Sequence, residues 1–554
     1  MNHSRKLLKK MLAVATSSSL ILAGGSTVFA AGSYQDTEKA ALDKISSGIA
    51  ASWGDYLKDY QKAQTGSTAD ITLTVEDTGR ALLGALAGGS DFSWLQNVSL
   101  NSDVTIKDGI ESMASALLLN DSQLCNLNIY MDLAGLAEYI QIPEISEGYI
   151  KAPMTVSDDS DISAETFSTY FNMLSDMSSV LPDSDTLSTL ISRYGNLVIE
   201  NLTEGSSTEE TVSVEGISED CTVYEGQITA NNATDMAEQI LTTARDDEEI
   251  KSLFDSWTEA GVGSKDQYTE FQTTVDDLIA ELSGDSDDTE STDDSSVIYS
   301  RVWVNGEDKI VGREFGMGDG INEQPILTWK APSDADNSAL LLEFQADDSS
   351  ITFTGSGVSS EGLLTGDYVF AVDGTETVDI HVDNLETKPE KAGYYNGKFT
   401  VTVPESATED STDSEEASAS NPLAGFSAEI TLKCDAATET SALDLTLITS
   451  GAPIATLSIT GGYGDGTDTP DLSSVSPAYN AEDDAEMAEY LKSVNLDTLA
   501  ANATAAGVPE ELVSQIKDIL ESAITSASEP QENATTDDSS AAETEETSET
   551  DAAA

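Results

Sequence analysis

The residues that could carry chemistry are few. The 554-residue chain has two histidines, and only His381 lies beyond the N-terminal leader described below. It sits in Val378-Asp-Ile-His-Val-Asp383. In a strand, Val378, Ile380 and Val382 would face one way, and Asp379, His381 and Asp383 the other. Two carboxylates beside an imidazole could hold a divalent cation or tune the ring. An ordinary solvated strand face is the simpler reading. One imidazole is too few for a two-histidine zinc site, and any Ser-His-Asp or Cys-His arrangement would rest on it alone. There is no Gly-x-Ser-x-Gly. Gly397-Lys398 has Ala392 where a phosphate loop needs its first glycine and Phe399 where it needs Ser or Thr, so it reads as a hairpin turn. Asp285-Ser-Asp287-Asp-Thr-Glu290 has the acids of a calcium loop without its glycine or flanking helices. Among 101 acids, chance carboxylate pairs are certain, and 6% aromatic residues offer little platform for sugars. The sequence predicts a protein that is not an enzyme, with no cofactor and no metal site.

Cys125, Cys221 and Cys434 are about a hundred or more residues apart, which is neither a disulfide framework nor a zinc spacing. Each lies in a strand-like run. Buried free thiols are expected, with one disulfide and a leftover thiol as the alternative.

Charge bounds the partners. With 101 Asp and Glu against 25 Lys and Arg, the formal net charge is -76. Such a chain repels nucleic-acid phosphates and anionic membrane surfaces, and it attracts cations and basic partners. Residues 1–31 read as a secretory signal. Arg5 to Lys10 is basic, Met11 to Leu22 is apolar, and Val28-Phe-Ala-Ala31 supplies small residues for cleavage. Leu22-Ala-Gly-Gly25 resembles a lipoprotein box without its cysteine, so no acyl anchor is expected there. No later run reaches the ~18 apolar residues of a membrane span. The expected location is secreted and extracellular, free or held non-covalently at the cell wall.

The elements that would position these residues alternate between two periods. Over 34–283 the pattern is a helix, an antiparallel meander and helical insertions. Leu42, Ile45, Ile49, Trp53, Leu57 and Tyr60 form one helical stripe. Strands follow at Ile71–Val75, Val98–Ile106, Ile110–Leu119 and Cys125–Met131, and two short runs end at Pro143 and Pro153. Asp158 to Arg193 reads as helical, broken at Pro182. Asn196–Glu200, Thr211–Val214 and Cys221–Thr229 read as strands. Asp235-Met-Ala-Glu238 resembles a capping box that would open a helix running to Trp257, and a second helix is expected over Lys265–Leu282. Residues 284–296 are an acidic linker.

Val297-Ile-Tyr-Ser-Arg-Val-Trp-Val-Asn-Gly306 then opens a β-sheet module over 297–466. Its first hairpin is expected to turn through positive φ at Asn305-Gly306. Phe399, Val401 and Val403 alternate with Thr400 and Thr402; Leu443, Leu445 and Leu447 alternate with Asp444 and Thr446. One apolar face per strand predicts an antiparallel sheet covered on one side. Residues 406–421 read as a disordered insertion, 480–525 as C-terminal helices and 526–554 as a disordered acidic tail. The fold class expected is α+β: one or more large antiparallel meander sheets, half-barrel-like, with inserted amphipathic helices.

Tyr299-Ser-Arg-Val-Trp-Val-Asn-Gly306 and Ile310-Val-Gly-Arg-Glu-Phe315 resemble a strand pair of the LolA-like half-barrel lipoprotein carriers and mycobacterial lipid-binding lipoproteins. The Tyr-Ile-x-x-Pro runs near 139 and 149 add to the likeness, which covers about 70–460 in order of parts. The resemblance implies a curved sheet cupping a helical lid around acyl chains. The chain is longer than one half-barrel needs, so two packed modules or one enlarged sheet would be required. The functional expectation is a secreted, non-catalytic carrier holding an apolar, lipid-like ligand between sheet and helices. The alternative is an extracellular structural or interaction module, in contact with a cell-envelope component, with no ligand pocket.

Overall fold

The computed structural model describes residues 32–107, 109–132, 135–154, 180–261, 263–283, 297–318, 323–346, 349–391, 393–404 and 425–528. The expected leader, acidic linker, insertion and most of the tail lie outside these residues, as does the expected helix between Asp158 and Met177.

The fold is α+β. Its centre is one open sheet of 22 strands, antiparallel apart from one short edge pairing. A long helix, α1 (Tyr34–Thr65), leads into β1 (Ser67–Val75), which is followed by the short helix α2 (Asp77–Leu86). From β1 a meander runs outward through β2 (Asn97–Lys107), β3 (Ile110–Leu119), β4 (Ser122–Asp132), β5 (Ala137–Gln141) and β6 (Tyr149–Pro153). The other flank of β1 pairs with β21 (Ala452–Tyr463). From there the sheet runs back through β20 (Thr440–Thr449), β19 (Phe426–Asp435), β18 (Gly397–Thr402), β17 (Thr375–Glu386), β16 (Leu363–Val372), β15 (Ser349–Ser360) and β14 (Asn337–Ala346). It continues through β12 (Glu323–Lys330), β11 (Ile310–Gly318), β10 (Val297–Asn305) and β9 (Ile217–Thr229) to β8 (Thr208–Val214). The ladders β9–β10 and β1–β21 therefore join the chain before residue 284 to the chain after 296 in one sheet.

The strands form where β-branched and aromatic residues alternate with Ser, Thr and acids. The first hairpin turns differently from expectation. Asp308, at φ 58°, takes the left-handed position. The Asn305 side chain accepts from the Glu307 and Lys309 amides, and a bulge at Trp303/Val304 absorbs the longer loop.

Three expectations about helices are corrected. Asn196–Glu200 is not a strand but the last part of α3 (Ser184–Asn201). Asp183 caps that helix, and it packs along α1, with Gly195 against Leu42 and the Ser192 and Ser46 hydroxyls 3.0 Å apart. Tertiary packing thus overrides the β-propensity of Leu197-Val-Ile199. Asp235-Met-Ala-Glu238 is helix interior, because α4 (Ala230–Arg245) starts at the Thr229 cap. The expected single helix then breaks at Asp246–Asp247, where Asp247 caps α5 (Glu248–Glu259); α6 (Gln267–Ser283) follows.

The main core lies where α1, α3 and α4 meet the sheet. Tyr34, Ala41, Leu202, Met236, Val302 and Ile310 are buried together there. On the opposite side of the same strands, Val212, Cys221, Val223, Trp303 and Val311 form a second cluster. The chain after β21 folds over the first meander, where Leu472 packs on Tyr130 and Tyr139. It then adds β22 (Ala478–Asn480) parallel to β6, followed by α7 (Asp484–Ser493), α8 (Asp497–Ala505) and α9 (Glu510–Ser528). No described helix is long and apolar enough to cross a membrane.

Candidate functional site

The register assigns every residue of the large sheet to a face. Ile71 on β1 lies opposite Ile459 on β21 and Leu100 on β2. Ile459 faces Leu443, and Leu445 faces Ile430, which faces Phe399. The series continues from Phe399 to Val382 and from Val401 to Ile380 to Tyr368. It then passes from Phe370 to Phe353 to Leu342 to Trp329, and through Arg313 to Val302. One uninterrupted apolar face thus extends from β1 to β10. The α1 helix lies on this face, because Tyr34 and Ala41 pack with Val302 and Val304.

α1 spans this face from one flank to the other. At its start, Tyr34 lies against Gly226 of β9 so closely that a Cβ there would strike the ring. At its end, Lys62 pairs with Glu439 in the β19–β20 turn. Asp59 pairs with Lys391 in the β17–β18 connection. A helix of 32 residues is ~48 Å long. The sheet between β9 and β1 is about a dozen steps of ~4.8 Å, or roughly 58 Å. The contour is longer than the helix that bridges it, so the sheet bows.

Helix packing is densest on the β9–β12 side of the face, and the C-terminal helices pack around Val98 of β2. Toward β14–β21 and β1, Tyr368 and Val382 are buried, while other apolar side chains stay in contact with solvent. Leu73, Phe344, Ile351, Val372, Phe426 and Leu447 are between 38% and 46% exposed. All six lie near one end of their strands, the end marked by Val75, Val372 and Thr449. α1 adds its own open apolar groove of about 600 Å³, lined by Ile45, Gly48, Ile49, Ser52, Trp53 and Tyr56. Exposed apolar patches of this kind are larger than the scattered apolar residues an ordinary protein surface carries.

Among the described residues, the charged pair set into this face is Arg313 with Glu38. Arg313 Nη1 lies 2.6 and 2.8 Å from the two carboxylate oxygens, and both side chains are almost fully buried. Beside them Tyr34 is buried, and burial raises its phenol well above the ordinary range.

Away from the second cluster on β8–β11, the opposite face is largely polar. Thr72 and Ser99, Thr446 and Thr456, and Asp444 and Ser458 pair across strands. His381 belongs here, exposed, with Nδ1 2.7 Å from Asp367 on the neighbouring strand. Asp379 and Asp383 share its side of β17 but lie opposite Val369 and Lys398. The structure therefore brings His381 together with Asp367, a partner 14 residues away that only the register reveals. Among the described residues no group of three or more His, Cys, Asp or Glu is placed to hold a metal ion. The three cysteines are free; Cys125 and Cys221 are buried and Cys434 is half-buried. Burial, helped by the Glu219 charge, pushes the Cys221 thiol up to about 12.

Comparison of the chain with protein-family models, curated proteins and solved structures finds no match.

Proposed function

We propose that the protein is a secreted, non-catalytic carrier that holds an apolar, lipid-like ligand against the α1 side of its sheet. The observation that supports this most is the solvent-exposed apolar face from β14 through β21 to β1. Covering its exposed side chains would remove apolar area from water at about 25 cal/mol per Å². The half-barrel lipoprotein carriers remain the likeness that motivates the reading. The strand pair that carries it, β10 and β11, is the part of the sheet to which α1 is fastened. Secretion rests on the leader-like sequence of residues 1–31.

The alternative is an extracellular interaction module that binds a cell-envelope component. α9 favours it, because Ile516, Ile519 and Leu520 are exposed on one stripe and Ile519 is 68% exposed.

Native mass spectrometry of the full chain, purified without detergent and compared with organic extracts of the same sample, separates the two. The carrier reading predicts a co-purifying apolar species that extraction removes. A protein that carries nothing, and takes up nothing when offered mixed lipids, would leave only the interaction module.

A further inference from the structure

The two ends of the strands differ in charge. At one end the chain reverses at 75–97, 318–323, 346–349, 372–375, 402–426 and 449–452. Across all of these connections the sequence contains one base, Arg80, and it is tied to Asp77 and to the Val75 carbonyl. The described acids at this end include Glu76, Asp77, Glu323, Asp373 and Glu376, of which Glu323 is paired with Arg301. The lysines cluster at the opposite end, where Lys62, Lys309, Lys330, Lys391 and Lys433 lie in or beside the turns. Those near α1 are already engaged: Lys62 with Glu439, and Lys391 with both Asp59 and Glu439.

Six of the solvent-exposed residues of the apolar face lie at the acidic end, and Ile71, Leu342 and Ile459 extend the exposed strip along the strands. Val372 is adjacent to Asp373 in the β16–β17 turn, and Ile351 pairs with Val372. Leu73 is two residues from Val75, after which Glu76 is the N-cap of the helix Asp77–Leu86. A chain lying on this face from the open end would leave its polar head among carboxylates, with no unpaired cation among the described residues beside it. A carboxylate, sulfate or phosphate head would be repelled there, and an ammonium head attracted. Opposite charges attract most strongly at short range and in low dielectric, and several acids act together.

We propose that the apolar face selects amphiphiles with a cationic head, an aliphatic chain ending in an amine, and discriminates against anionic ones. This deepens the carrier reading and rests on it.

The test uses the full chain and a neutral, environment-sensitive apolar dye. Dodecylamine, dodecanol and dodecanoate are compared as competitors, below their micelle concentrations, at 20 and 300 mM salt. The proposal predicts that the amine displaces the dye at least tenfold better than the carboxylate at low salt, with the alcohol between them. The gap should shrink at high salt, because exposed charges are screened within ~8–10 Å. In Asp373→Asn/Glu376→Gln, the ratio of amine to alcohol affinity should fall at least twofold. Asparagine keeps the acceptor that Asp373 offers the Ser350 amide and tolerates its positive φ of 51°. Dye binding with equal or better competition by the carboxylate would overturn the head-group proposal and leave the carrier reading intact. Failure of the dye itself to bind would overturn both.

Discussion

Arg313 on β11 and Glu38 on α1 form a nearly solvent-free ion pair, Nη1 to carboxylate, at 2.6 and 2.8 Å. It fastens the long helix to the apolar face and sets where that helix crosses the sheet. Beside it, Thr37 of α1 is also fully buried, so the first turns of the helix have no room to shift.

Removing one partner of this pair leaves a buried charge uncompensated. Arg313→Met or Glu38→Leu alone should therefore destabilise the protein by about 3–5 kcal/mol. The double substitution should recover most of that loss, because two apolar side chains of similar volume replace both charges. Urea denaturation of the two singles and the double gives the coupling energy directly. Additive losses would mean that the pair does not act as a unit.

Asp247 supplies a pH-dependent contact. Burial raises its pKa, but hydrogen bonds from Arg193 and Tyr194 outweigh that and hold it down at about 2. Its carboxylate also caps α5, accepting from the Glu249 and Ile250 amides. A depressed folded pKa means that the unfolded chain binds the proton more readily. The stabilisation is therefore complete above the ordinary aspartate range near 4 and is lost as pH falls through about 2. Asp247→Ala should cost about 2–3 kcal/mol at pH 7, and the difference from the parent should vanish near pH 2. A pH-independent difference would place its contribution outside this charge network.

Much of the sheet was legible because its strands are apolar on one side and polar on the other. Leu443, Leu445 and Leu447, with Asp444 and Thr446 between them, announce β20 without any knowledge of its neighbours. The long α1 stripe was equally plain. What failed was local chemistry that tertiary packing overruled. Leu197-Val-Ile199 has the composition of a strand but completes α3 because α1 offers it a helix to lie against. Asp235 and Glu238 have capping-box spacing, yet Thr229 at the end of β9 starts the helix earlier. Nothing in the sequence announces that β22 pairs in parallel with β6, since three residues carry too little pattern. The site was half visible. The one-sided strands pointed to an apolar face, but its exposed portion and its acidic end depend on strand order and register. The pairing of His381 with Asp367 was likewise hidden, because Asp367 lies on the neighbouring strand and only the β16–β17 register brings it to the imidazole.

The thiols should separate by burial. Cys221 ionises only near pH 12, and burial also raises the Cys125 thiol; the reactive species is the thiolate. At pH 8 a maleimide should modify Cys434 within minutes and the other two only on unfolding. Mass spectrometry after limited labelling would read this as a single adduct. Because the raised pKa of Cys221 favours its neutral form in the folded state, stability tied to it should be lost as pH rises from about 9 toward 12. Rapid labelling of Cys221 in the native protein would contradict its burial in the cluster with Trp303 and Val311.

Leu447 offers the most direct test of the apolar face as a binding surface. It is 46% exposed, so Leu447→Asp should alter folding stability by no more than about 1 kcal/mol. Fluorescence titration of the parent and this variant with a neutral apolar dye is the measurement. The account predicts saturable binding to the parent and at least tenfold weaker binding to the folded variant. Equal binding to both, or no saturable binding to either, would contradict it.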